Sequence, residues 1–252
     1  MLKALVLAGG DGDEKLQESE GTKALVRING REMILYILDA LKKLDYIEKI
    51  AIVGPKEKLS SIKVGPNVVV VEESDSIVGN ILRGLELFSD DDEILIMTCD
   101  IPMVTAEAID DFVKKAKGLN ADFCYPIIRK EDTEKKYPGI KRTYARVREG
   151  TFTGGNVALV KVGSAKRCIK KAEEFFTYRK NPLKLASILG FSVVLKFLLG
   201  KLSIPELEKR VYDIFGIKAR AVISDFPEIG NDVDKKSDLE LVREVLGREV
   251  VQ

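Results

Sequence analysis

The sequence predicts an α/β fold of three layers, with a largely parallel sheet covered by helices on both faces. Three observations carry this. Short apolar runs recur along the chain as strands, apolar residues fall at helical spacing between them, and the two patterns alternate as in βαβ units. A parallel sheet of this kind is buried on both sides, so its strands read as near-continuous apolar runs. The 252 residues suffice for one domain with a sizeable core and an elaboration on it.

The elements follow in order. Residues 3–7 form an apolar strand that ends on Ala8-Gly9-Gly10. Asn29-Gly30 marks a tight turn before a helix over 32–44, where Met33, Ile34, Ile37, Leu38, Leu41 and Leu44 share one face. Strands are expected at 47–53, 67–71, 93–97 and 121–127, with helices at 77–88 and 106–116 between them. Thr105 stands where an N-cap belongs, ahead of Glu107, Asp110 and Asp111.

Residues 129–148 carry eight cations and the break Tyr137-Pro138-Gly139. They read as a mobile basic loop leading into a strand near 143–148, with a lid for an anionic acceptor as the alternative to a solvated hairpin. A strand at 157–162 follows Gly154-Gly155-Asn156. Helices are then expected at 164–177, 182–199 and 204–215, a strand at 219–223, and a last helix at 236–246. This gives one domain over 1–252 with a helical elaboration at about 164–216. The very apolar 182–199 segment reads as a core or dimer helix. The competing reading, a groove for an apolar acceptor, requires a large exposed apolar patch.

Composition narrows the chemistry. The net charge of +1 gives no global field that would draw nucleic acid or a membrane. There is no histidine, so no imidazole base or ligand is available, and any metal must be held by oxygen donors of the kind that suit Mg²⁺. Cys99, Cys124 and Cys168 lack C-x-x-C spacing and fit a reducing compartment. No leader pattern opens the chain, and lysines 184, 196 and 201 break its most apolar stretch, so a cytoplasmic protein without a membrane span is expected.

Three clusters stand out. Gly9 and Gly10 at the carboxyl end of the first strand let the backbone approach a ligand, and Lys23 can neutralise phosphate there. They are neither a G-x-G-x-x-G fingerprint, since position 14 is Glu14, nor a Walker loop. In Cys99-Asp100-Ile101-Pro102, an apolar strand delivers Asp100 to the same sheet edge, as an Mg²⁺ ligand or as a helix cap. In Gly230-Asn231-Asp232-Val233-Asp234, one acid is expected to face a site and the other solvent or a helix end, with Ser237 or Asp234 as the candidate cap of the last helix.

In this order the clusters, with Lys23-Ala24-Leu25, Asn29-Gly30-Arg31 and the closing Asp-Val-Asp-x-x-x-Asp-Leu, resemble the nucleotidyltransferase superfamily. Within it the chain looks most like the MobA-like group, the molybdenum-cofactor guanylyltransferases and their kin. The resemblance implies a Rossmann-like sheet that binds an NTP on Leu7, Ala8, Gly9 and Gly10, with Lys23 on the phosphates. It implies Mg²⁺ on Asp100 and Asp234, with Asp232 as the other candidate for the second position. Gly79 and Asn80 resemble the segment that reads the nucleobase, although a plain helix start fits them equally. Gly155 and Asn156 resemble the acceptor-side strand.

The family's loop after Gly10 usually carries an arginine. Here it reads Asp11-Gly12-Asp13-Glu14-Lys15, with Lys15 as the substitute cation. The expected activity is Mg²⁺-dependent transfer of an NMP from an NTP to a phosphate or hydroxyl acceptor, releasing pyrophosphate. The alternative is a nucleotide sensor on the same fold. The partners expected are an NTP and a small-molecule acceptor, with a homodimer through the apolar helix as an option. The base and the acceptor are left open.

Overall fold

The computed structural model describes residues 1–9, 16, 22–62, 64–178 and 182–249. Strand β1 (Leu2–Leu7) is the axis of the sheet. A two-residue turn, Asn29 at φ 50° and Gly30 at φ 85°, joins the short strands β2 (Arg27–Ile28) and β3 (Arg31–Glu32). Both central residues of such a turn need positive φ, which Asn-Gly supplies at least cost. Helix α1 (Met33–Lys42), strand β4 (Ile47–Gly54), the one-turn α2 (Lys56–Leu59) and strand β5 (Val68–Glu72) follow. Next come α3 (Ile77–Leu85), β6 (Glu93–Thr98), α4 (Ala106–Lys117) and β7 (Phe123–Arg129). Thr105 caps α4 as expected, its hydroxyl accepting the Ala108 N–H at 3.1 Å.

The basic stretch after β7 is only partly a loop, because residues 130–136 form helix α5 (Lys130–Lys136). Its first turn holds Glu131 and Asp132 and its last holds Lys135 and Lys136, the order the helix dipole favours. Strands β8 (Ala145–Val147), β9 (Gly150–Gly154) and β10 (Val157–Lys161) come next, β9 being one the pattern did not suggest. The helical elaboration is α6 (Val162–Tyr178), α7 (Pro182–Leu189), α8 (Phe191–Leu198) and α9 (Ile204–Phe215). The continuous helix expected at 182–199 is thus two, broken at Gly190, whose φ of 90° no right-handed helix accommodates. Strand β11 (Ala219–Ser224) and α10 (Lys236–Glu249) close the chain.

The strands join in the order β5-β4-β1-β6-β10-β7-β9-β8, with β11 also on β7. Only β9 and β10 run against the rest, so the sheet is mixed and mostly parallel. The pleat of β1 separates the layers. Ala4 and Val6 pack with Ile37 and Leu41 of α1 and Phe112 of α4, while Leu5 and Leu7 face Leu85 of α3 and Ala165 of α6. This is the predicted α/β sandwich. Gly84 in α3 lies against Leu5, and a Cβ there would stand 2.4 Å from both Leu5 methyl carbons. Leu5 is fully buried and has no room to withdraw. Gly84→Ala is therefore expected to lower stability by about 1–3 kcal/mol in urea unfolding, despite alanine's better helix propensity.

Among the described residues, no helix is long and apolar enough to cross a membrane. The apolar helix α8 contains no buried residue, so within this chain it is not a core helix.

Candidate functional site

Parallel pairing sets Leu7 beside Thr98, which brings the carboxyl ends of β1 and β6 to one edge. Backbone bonds extend that junction outward. The Cys99 N–H donates to Leu7 O at 3.0 Å, and the Val233 N–H donates to Asp100 O at 2.9 Å. The second bond carries the 231–234 segment, far along the chain, to the end of β6. Lys23 arrives by a third route. Its neighbour Thr22 donates a hydroxyl hydrogen bond to Ala8 O at 3.1 Å and so ties the lysine's short helical turn to the end of β1.

These routes meet at the Lys23 ammonium, which is 3.1 Å from Asp100 Oδ2 and 2.5 Å from Asp234 Oδ1. Asp100 is steered by Thr98, whose hydroxyl donates to Asp100 Oδ1 at 2.6 Å. The cap reading for Asp100 falls away, because Thr105 takes that role in α4. At the start of α10 the Asp238 carboxylate accepts the N–H bonds of Asp234 and Lys235, leaving the Asp234 carboxylate to Lys23. Burial alone would depress the Lys23 ammonium. The Asp100 and Asp234 carboxylates outweigh it and raise its pKa above the ordinary lysine value, so the side chain is cationic at neutral pH.

The two candidates for the second carboxylate do not exclude each other. Asp100, Asp232 and Asp234 each offer one oxygen, and these three oxygens lie within 4.8 Å of one another. Asp232 is also paired with Arg142, a residue that sequence reasoning placed in a loop and did not single out. Burial holds the Arg142 guanidinium below its usual pKa. Three oxygen donors at this spacing, with no nitrogen or sulfur ligand among them, fit a hard divalent cation such as Mg²⁺.

Beside the acids opens a cleft of about 350 Å³, lined in part by Arg142, Gly155, Asn156, Asp232 and Asp234. The Gly155-Asn156 pair creates it. The chain passes through this pair from β9 into β10, which runs the same way, with the Gly155 N–H on Pro126 O and the Asn156 N–H on Ile229 O, both at 2.9 Å. A Cβ on Gly155 would stand 2.7 Å from the Pro126 ring, so glycine is required for this approach. Asn156 Nδ2 and Arg142 Nε are buried without a hydrogen-bond partner among the described residues. Buried donors are rarely left so, and both residues line the cleft.

The remaining predicted positions divide. Leu7 and Ala8 end β1, the Ala8 N–H donating to Val53 O at 2.7 Å. Gly9 lies against Glu73 and Asn80, where a Cβ would come within 2.2 Å of Glu73 Oε2 and 2.7 Å of Asn80 Nδ2. Asn80 is therefore at the glycine turn, its Oδ1 accepting the Ser74 N–H at 2.5 Å. Gly79 belongs to a plain helix start, its N–H donating to the N-cap Ser76 hydroxyl at 3.0 Å. Gly10 and Lys15 lie outside the described residues. Glu73 and Thr98 were missed because neither residue type signals a site until the fold brings it there.

Residues 4–187 match the MobA-like NTP transferase domain family. A probable molybdenum cofactor guanylyltransferase of Thermococcus sibiricus is 32% identical over 123 residues, which are 48% of this chain and 60% of that protein. Its counterpart in Thermococcus gammatolerans is 28% identical over 155 residues, 61% of this chain and 77% of the relative. The chain thus spans about three-fifths of the first of these relatives. The structure of a hypothetical transferase from Thermus thermophilus superposes with a TM-score of 0.85 at 37% identity, covering 94% of this chain and 99% of that one. The chain therefore belongs to the MobA-like NTP transferase domain family, a family of nucleotidyltransferases.

Proposed function

We propose that the protein transfers a nucleoside monophosphate, GMP first among them, from an NTP to a phosphorylated or hydroxyl small-molecule acceptor. Guanine is favoured by the guanylyltransferase names of the two Thermococcus relatives. The observation that carries the reading is Lys23 seated between Asp100 and Asp234 at the carboxyl end of β1, beside the Asn156 cleft.

An acceptor oxygen attacks the α-phosphorus, the bond from that phosphorus to the bridging oxygen breaks, and pyrophosphate leaves with the electron pair. A phosphomonoester acceptor is already nucleophilic, so no base is needed and the lack of histidine is no obstacle. Gly9 and Asn80 border the nucleotide, and Gly155 and Asn156 receive the acceptor in the cleft. Lys23 neutralises charge that builds on the departing phosphates. Asp100, Asp234 and Asp232 would hold Mg²⁺, which when bound supplies charge neutralisation and alignment of phosphate oxygens. The chain's contribution is placement and electrostatics throughout.

The test compares the four NTPs, with and without Mg²⁺, first by thermal shift and then by pyrophosphate release across phosphorylated acceptors and alcohols. GTP with Mg²⁺ is expected to give the largest shift and to support release with one acceptor class. A nucleotide that stabilises the protein while no acceptor yields pyrophosphate would establish the sensor alternative.

A further inference from the structure

Away from the acid cluster, α8 presents an apolar stripe left exposed among the described residues. Phe191, Leu195 and Leu198 stand at i, i+4 and i+7 with Leu199 beside them, and they are 76%, 45%, 75% and 60% exposed respectively. Isolated exposed leucines are ordinary, but four large side chains along one stripe are not.

The charge beside the stripe is predominantly positive. Residues 182–203 contain no Asp or Glu, and include Lys184, Lys196 and Lys201. At the carboxyl end of α8 the chain turns through Gly200, φ 64°, against the Arg146 side chain. There Arg146, Arg148 and Lys201, with Glu131 as the one acid of the lining, border an open cleft of about 700 Å³. Glu206 neutralises part of this charge through Lys196 at 2.5 Å and Arg148 at 3.7 Å. Arg146 and Lys201 form no salt bridge among the described residues.

We infer that α8 and this basic cleft form a docking surface for an anionic lipid bilayer, with the helix lying in the headgroup region. An interfacial helix needs an apolar stripe that enters the acyl boundary and cations that meet anionic headgroups, and both are present in one continuous patch. Since no described helix can cross a membrane, the contact is peripheral. A second copy of the chain fits less well. A two-fold pairing sets a surface against itself and would bring Arg146 and Lys201 toward like charges. The near-neutral whole-chain charge hid this patch, because cations outnumber acids only locally.

The full chain is tested by co-flotation with phosphatidylglycerol-containing vesicles and with pure phosphatidylcholine vesicles at low salt. Binding is expected to the first and not the second, and to fall as salt rises. Two independent variant pairs address the two halves of the surface. Phe191→Ser with Leu198→Ser removes apolar area and is expected to lower partitioning about tenfold or more. Arg146→Glu with Lys201→Glu reverses two cations and is expected to lower it about tenfold. All four residues are outside the core clusters, so unchanged thermal melts verify the fold of each variant. The inference is overturned if wild-type protein ignores the anionic vesicles, or if neither pair weakens binding. It is also overturned if light scattering shows a dimer that Phe191→Ser with Leu198→Ser dissociates, since a second copy then covers the stripe. None of these outcomes depends on the nucleotidyl-transfer reading.

Discussion

Asp100→Asn is expected to slow pyrophosphate release by about two to three orders of magnitude, the largest loss among single substitutions at the acid cluster. The figure is the cost of removing one preorganised electrostatic partner from a transition state, about 2.7–4 kcal/mol. Asparagine preserves shape and can still meet the Thr98 hydroxyl, so the variant isolates charge from packing. Asp100 should exceed Asp232 and Asp234 in effect for two reasons visible in the site. Its main-chain position is set by β6 and its side chain by Thr98, whereas Asp234 is largely exposed and Asp232 shares its charge with Arg142. A fixed carboxylate needs no reorganisation at the moment of reaction, which is where preorganisation acts. The effect should fall on kcat more than on KM for the NTP, as measured by steady-state pyrophosphate release over a range of Mg²⁺ concentrations. Asp100→Asn with wild-type kcat at every Mg²⁺ concentration would falsify the proposed mechanism.

The sequence exposed the parts of this site that lie at the ends of strands. Gly9, Lys23 and Asp100 were legible because an apolar run announces where a strand stops, and ligands gather at the carboxyl ends of parallel strands. Asp232 and Asp234 were legible as a pair but not as partners of one another. The expectation that they part to opposite sides misapplies the strand period: residues i and i+2 of an extended segment share a face, so the alternation itself favours both acids on one side, and the Val233 bond to Asp100 O holds the segment at the site. Arg142 was hidden among eight cations in 129–148, where composition suggests a solvated loop and only the fold shows which guanidinium is buried. The break at Gly190 was hidden for the opposite reason. Apolar periodicity runs through it, and a single glycine inside a helical pattern does not show the sign of its φ. The burial assigned to 182–199 rested on apolarity alone, and α8 shows that an apolar helix need not face the core.

Lys23→Met is expected to move two observables in opposite directions. Turnover should fall by about a hundredfold, because the cation facing the departing phosphates is lost. Mg²⁺ binding to the nucleotide-free protein should tighten. In the wild type the Lys23 ammonium already bridges Asp100 and Asp234, so a divalent ion must displace two ion pairs to enter. With methionine of similar length in place, the three acids face one another uncompensated, and a cation removes that repulsion without competition. The same repulsion should destabilise the metal-free variant by about 1–3 kcal/mol, since a half-buried carboxylate loses its charged partner. Added Mg²⁺ should recover that loss as its concentration passes the dissociation constant, because an ion bound only by the folded state stabilises it by mass action. Isothermal titration calorimetry with Mg²⁺ alone and thermal unfolding across Mg²⁺ concentrations read these effects separately from activity. A lysine that merely braces the fold would weaken Mg²⁺ binding on removal, by loosening the acids. Tighter binding beside slower turnover requires that the ammonium and the metal compete for the same carboxylates, as the proposed site implies.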